Sequence, residues 1–162
     1  MKSLLGFAKP GYLPLPRVVY DREARDGTWC CLPYPGHPKG CPNFPRCPNQ
    51  YRDFMEIQSE CSEWYAVVEE YDLKAHAYRM KGMYPWWTSR QCRNPLYWQG
   101  KVRARLRRKA NPGYPNRPND RIIMKIPEAC GVNVFETMAQ IGIVIDRYPD
   151  IVRKVMMIGR RK

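Results

Sequence analysis

The chain has 162 residues, the size of one domain with a single core, and leaves no room for a second large one. Hydrophobic residues at 44% and aromatics at 12% exclude general disorder, while sixteen prolines, about twice the usual share, require many loops. Lys and Arg number 28 against 15 Asp and Glu, and the resulting +13 favours polyanionic or anionic partners without bearing on fold.

At the start of the chain Pro10, Pro14 and Pro16 prevent a helix, and Arg17 to Tyr20 read as a short strand at a sheet edge. The only apolar run before them, Leu4 to Ala8, is too short for a signal peptide. No stretch has the length of a membrane-spanning helix, so a cytoplasmic protein with no membrane partner is expected, its seven cysteines reduced or ligating.

Residues 29–49 differ from the rest. Pro33, Pro35, Pro38, Pro42, Pro45 and Pro48 recur every few residues among Cys30, Cys31, Cys41 and Cys47, a density that neither helix nor strand tolerates. A loop of about 20 residues is uncommon in a small domain unless something fixes it, and a metal held by its thiolates would do so.

Beyond the loop, Tyr51 to Ser62 can form a helix, and Trp64 to Val68, followed by two acidic residues, read as a strand. Leu73 to Lys81 reads as a helix with Asp72 as its N-cap and Gly82 to Pro85 as its stop. Thr88 and Gln91 have the spacing of a capping box. A basic helix is expected over 96–110, with Trp98, Val102 and Leu106 on one side, ending at Asn111-Pro112-Gly113.

The remaining region, 121–162, reads as strand, helix and strand. Arg121 to Ile126 form the first strand; Asn133 caps a helix in which Glu136 reaches back. Ile143 to Ile145 and Val152 to Ile158 have strand character. The order of elements predicts a small α+β fold, one domain over 1–162, with the strand topology left open.

The cysteines carry the clearest chemistry. Cys31, Cys41 and Cys47, with Cys30 adjacent, gather soft ligands in a proline-stiffened loop, which suits zinc or an iron-sulfur cluster. The spacing matches neither a zinc ribbon nor a ferredoxin. Cys92 is the preferred distant fourth ligand, ahead of Cys61 and Cys130, each of which reads more simply as a small buried hydrophobe. His37 reads as a loop or substrate-facing side chain before a ligand.

Three segments also carry a resemblance. Leu32-Pro-Tyr-Pro-Gly-His-Pro-Lys-Gly-Cys-Pro-Asn43, Leu96-Tyr-Trp-Gln99 and Glu128-Ala-Cys-Gly-Val-Asn-Val-Phe135, with Cys92-Arg93-Asn94-Pro95 between, resemble a family of prokaryotic and phage proteins predicted to bind metal. The likeness spans most of residues 29–145. It implies a cysteine-bound metal, most readily an iron-sulfur centre, with Cys31, Cys41 and Cys47 matching the first box and Cys92 the second. It implies no particular reaction. The chain has Cys47-Pro48-Asn49 where a C-P-P triplet is usual, and lacks the close cysteine group that precedes the second box in relatives.

Charge is as unevenly placed as cysteine. From Leu73 to Asn119 there is no acidic residue and there are twelve basic ones. Lys101, Arg103, Arg105, Arg107, Arg108 and Lys109 fall on the predicted helix, where Lys101, Arg105 and Arg108 share a face that can meet successive phosphates of RNA or DNA. Trp86, Trp87, Tyr97 and Trp98 can stack on bases, although Trp98 at helical spacing with Val102 and Leu106 reads better as core. The plain alternative is a solvated basic face.

No nucleophile elbow, glycine-rich phosphate loop or H-E-x-x-H motif is present, and only His37 and His76 supply imidazoles. Whether the protein is an enzyme is left open. The leading expectation is a cysteine-ligated metal protein that contacts nucleic acid. The alternatives are an iron-sulfur enzyme acting on a small anionic or nucleotide-like substrate, with His37 or Glu128 as proton carrier, and a structural subunit bound to a protein assembly partner.

Overall fold

The computed structural model describes Phe7 and residues 9–25, 51–113, 119–146 and 148–162. The loop 26–50, and with it Cys30, Cys31, His37, Cys41 and Cys47, lies outside the described residues.

Four antiparallel strands form the centre of a small α+β fold. They are β1 (Leu13–Leu15), β2 (Cys61–Asp72), β3 (Arg121–Met124) and β4 (Ile151–Arg161), in the spatial order β1-β2-β4-β3. The helices are α1 (Arg22–Arg25), α2 (Phe54–Ile57), α3 (Leu73–Met83), α4 (Ser89–Cys92), α5 (Gln99–Ala110) and α6 (Val134–Ala139), with 3-10 turns at Gln58–Glu60, Pro95–Tyr97 and Pro127–Cys130. Both β2 and β3 are antiparallel to β4, so the chain between them, α3 to α5, crosses over from one side of β4 to the other.

The long central pair is built for burial on both faces. One face carries Ala66 of β2 with Val155 and Met157 of β4, closed by Phe54, Ile57 and Met138. The other carries Val67 with Met156 and Ile158, closed by Leu106 and Ala110 of α5. Completely burying a side chain such as Leu106 contributes roughly 2 kcal/mol. The charged residues of the pair match in register: Glu70 lies opposite Arg153 and Glu69 opposite Lys154. Arg153 Nε donates to Glu70 Oε1 at 2.9 Å.

One close approach fixes a residue type. A β-carbon on Gly159 would fall 2.5 Å from Cys61 Sγ and 2.7 Å from the Trp64 ring, so β4 passes these side chains only as glycine.

Several elements differ from the sequence expectations. The edge strand is Leu13–Leu15, not Arg17 to Tyr20, of which only Tyr20 makes an isolated bridge, to Val132. Pro14 is accommodated because β1 is an outermost strand. The helix expected over Tyr51 to Ser62 is limited to Phe54–Ile57 and a 3-10 turn, since Cys61 and Ser62 join β2. Ile143 to Ile145 form no strand; Ile143 and Ile145 pack as irregular chain against the core while Val144 is exposed. The basic helix starts at Gln99, because Pro95–Tyr97 is a separate 3-10 turn set by Asn94 as N-cap and Pro95 behind it. The N-caps are as expected: Asp72 accepts from the Ala75 amide, Thr88 and Gln91 close a capping box, and Asn133 accepts from the Glu136 amide. Glu136 does not reach back, because the Asn133 amide donates to the Val19 carbonyl.

Candidate functional site

Helix α5 lies across β2 and β4 with Val102, Leu106 and Ala110 buried, and its other sides carry the six basic residues. They do not form one uniform face. Glu69, buried on the strand beneath, draws in two of them: Lys109 Nζ stands 2.5 Å from Glu69 Oε2 and Arg105 Nη1 3.9 Å from Oε1. Lys109 also donates to the Val68 carbonyl at 3.2 Å. Arg103 turns inward instead, where Gln99, with its amide set so that Oε1 accepts, takes a 3.1 Å bond from Arg103 and a 2.9 Å bond from Lys154. Lys101, Arg107 and Arg108 are exposed and pair with no carboxylate among the described residues.

Arg107 also belongs to a second feature. A cavity of about 580 Å³ opens beside β3, an outer strand of the sheet among the described residues, and its walls hold Arg52, Arg107, Arg121, Lys125 and Arg161 over Ile123 and Met156. No acidic residue lines it among the described residues. Two carboxylates stand behind the walls: Glu60 pairs with Arg52 and, at 3.4 Å, with Arg161, and Asp120 holds Arg121 at 2.9 Å. Among the described residues, basic side chains outnumber the carboxylates around this cavity.

Arg121 is a fixed part of that wall. Its guanidinium donates to both Asp120 oxygens and to the Tyr12 hydroxyl at 2.9 Å, and lies 4.8 Å from the centre of the Phe7 ring. Hydrogen bonding to Asp120 holds the guanidinium above its ordinary pKa and the Asp120 carboxyl below its own. Tyr12 in turn donates to the Ala110 carbonyl, tying the end of α5 to the cavity wall. Sequence reasoning missed this site because its cations come from positions 52, 107, 121, 125 and 161, which only the packing of α5 and the segment before α2 around the β3–β4 pair brings together.

At the opposite end of α5 the chain presents aromatic rings. Trp86 is 74% exposed and Tyr97 51%, while Trp87 is half-buried. Trp98 is core: it is 5% exposed, stacks on Tyr71 at 5.3 Å, and donates from Nε1 to the Arg93 carbonyl at 3.1 Å.

The described candidate ligands do not come together. Cys61, Cys92 and Cys130 are all buried, and no group of three or more His, Cys, Asp or Glu able to hold a metal occurs among the described residues. Burial pushes the Cys61 thiol up, away from the thiolate a metal needs. Cys92 ends α4, a helix packed against α3. Cys130 lies elsewhere, on the 3-10 turn against which α1 packs and in the same core that receives Tyr51. The chain therefore enters residues 26–50 from α1, which packs against the turn that carries Cys130.

Glu128 sits on the same 3-10 turn and faces Lys154 and Arg103. Burial pushes its carboxyl up, against the pull of its own backbone amide and of those two cations, and burial lowers the Lys154 ammonium. Glu128 lines neither the β3 cavity nor the smaller one bordered by Arg17, Phe54 and Trp64. His76 is buried, its Nδ1 2.8 Å from the Tyr71 hydroxyl, and burial with Arg79 and Lys101 nearby keeps its pKa low and the ring neutral.

No helix among the described residues is long and apolar enough to cross a membrane. No family model, curated protein or solved structure matches the chain.

Proposed function

We propose that this protein binds nucleic acid through the exposed cations of α5 and the basic cavity at that helix's C-terminal end. The observation that carries the reading is the meeting of these two surfaces at Arg107, which belongs to both. Lys101 and Arg108 extend the positive surface along α5 and have no carboxylate partner among the described residues, so phosphates are their natural counter-ions. Binding measured between 50 and 200 mM salt should weaken steeply, and Ala at Lys101, Arg107 and Arg108 should each lower the salt slope by about one phosphate contact. Binding indifferent to salt would refute it.

The second part of the proposal is a metal, zinc or an iron-sulfur cluster, held by Cys31, Cys41 and Cys47. Its support is the cysteine and proline density of residues 29–49 and the family resemblance. The resemblance gives Cys92 as fourth ligand; the packing of α1, which leads into residues 26–50, against the turn that carries Cys130 makes Cys130 the alternative. Such a metal would fix the loop and thereby add to folding stability. Metal and acid-labile sulfide, measured on protein purified without oxygen, test the site, and Cys41→Ala should lose both the metal and thermal stability. Cys92→Ser and Cys130→Ser then decide the fourth ligand by which one lowers metal content.

A further inference from the structure

The exposed rings before α5 need an occupant. Trp87 is packed between Tyr84, parallel to it at 4.4 Å and 15°, and Tyr97 at 5.2 Å, while Trp86 stands edge-on to Tyr84 and offers most of its surface to solvent. Leu96 beside them is 68% exposed. Large apolar groups in one exposed patch mark an interaction surface.

The patch is also rigid. Lys81 Nζ donates to the Trp87 carbonyl at 2.6 Å, the Thr88–Gln91 capping box fixes the following turn, and Asn94 caps the turn that carries Tyr97. The rings are held in place before anything binds, so little ordering cost remains.

Its charge selects the partner. Nothing acidic occurs between Leu73 and Asn119, and Lys81, Arg90 and Lys101 are exposed on the elements around the rings. The occupant is therefore both anionic and planar. We propose that Trp86 and Tyr97 stack on unpaired bases, so that the nucleic acid bound along α5 is single-stranded. This rests on the reading of α5 as a nucleic-acid surface and adds the strand state of the ligand. The rings precede Gln99, the cavity adjoins Ala110, and the 12-residue helix between them is about 18 Å long, so one strand reaching both ends spans several nucleotides. A duplex keeps its bases inside the stack and has no ring faces to offer along its length.

The test compares a fluorescein-labelled oligo(dT) with a hairpin duplex of equal charge, read by anisotropy and by tryptophan fluorescence. Wild-type protein should bind the single strand more tightly, with quenching. Trp86→Ala and Tyr97→Ala should each weaken single-strand binding by about tenfold with the salt slope unchanged, leave the duplex alone, and recover most of the loss as Trp86→Phe. Both residues are exposed, and a thermal melt confirms that the variants are folded. If wild-type protein binds both forms with salt dependence and the two alanine variants bind oligo(dT) as tightly as it does, the stacking proposal fails while the reading of α5 stands. If it binds neither form, the reading of α5 fails. Quenching by phosphatidylglycerol vesicles but not by oligo(dT) would give the rings to a membrane and overturn the proposal.

Discussion

The two ends of α5 are organised by opposite means. At the N-terminal end, rings stack on one another and short polar side chains cap the turns, all within residues 81–98. At the C-terminal end, cations from distant positions are gathered by tertiary packing, and Glu60 and Asp120 hold three of them, Arg52, Arg161 and Arg121. Stacking is local and insensitive to salt, whereas a cationic wall depends on tertiary register and is screened. One surface is set by neighbouring residues and the other by the fold.

The strongest way to break the comparison is to remove what both ends share. Trp98 precedes α5, is buried against Tyr71, and ties the aromatic turn to the sheet through its bond to the Arg93 carbonyl. Trp98→Ala should cost about 3–5 kcal/mol in urea denaturation, and ligand binding at both ends should fall with it. A loss below 1 kcal/mol would mean that the turn is held by other contacts.

Arg121→Ala separates the ends. It removes the hydrogen bonds to Asp120 and Tyr12 and the contact over Phe7, all on the cavity side. We expect a loss of about 2 kcal/mol and weaker salt-dependent binding, with quenching of the exposed tryptophan by oligo(dT) retained at low salt. Loss of that quenching would show that the two surfaces are coupled.

The same contrast explains what the sequence disclosed. The caps at Asp72, Thr88 and Asn133 and the core position of Trp98 depend on neighbours within a few residues, and they were legible. The full length of β2 was not, because Glu69 and Glu70 look like the end of a strand until Lys154 and Arg153 stand opposite them. Nor was the fate of the basic face. Periodicity placed Lys101, Arg105 and Arg108 together, but Glu69 beneath α5 takes Arg105 and Lys109, and Gln99 takes Arg103. Ile143 and Ile145 pack against the core as irregular chain, with no strand partner among the described residues. Of the proposed metal site, only the candidates for the fourth ligand, Cys92, Cys130 and Cys61, fall among the described residues.

A smaller change probes the aromatic end by itself. Thr88→Ala removes one half of the capping box and should cost about 1 kcal/mol of stability. If the turn pre-organises Trp86 and Tyr97, oligo(dT) binding should weaken more than duplex binding. Equal effects on both would assign the box to stability alone.

The smallest net effect is expected at Glu128, where burial and the neighbouring cations Lys154 and Arg103 oppose one another. Burial wins, and the folded carboxyl titrates above its ordinary value of 4.5. The folded state therefore binds the proton more tightly than the unfolded chain. The stability from this group is complete below pH 4.5 and is lost as pH rises through the raised value. Glu128→Gln cannot ionise and escapes that loss, so it should match wild-type protein in urea at acidic pH and exceed it at neutral pH. Lys154→Met should show the mirror image. Burial lowers the ammonium below 10.5, so the cost of the lysine is present at neutral pH and fades as pH rises towards that value. A Glu128→Gln protein less stable than wild type at neutral pH would show that attraction to Lys154 and Arg103 outweighs burial, and that this cluster clamps α5 to the sheet by charge, as the cavity end does.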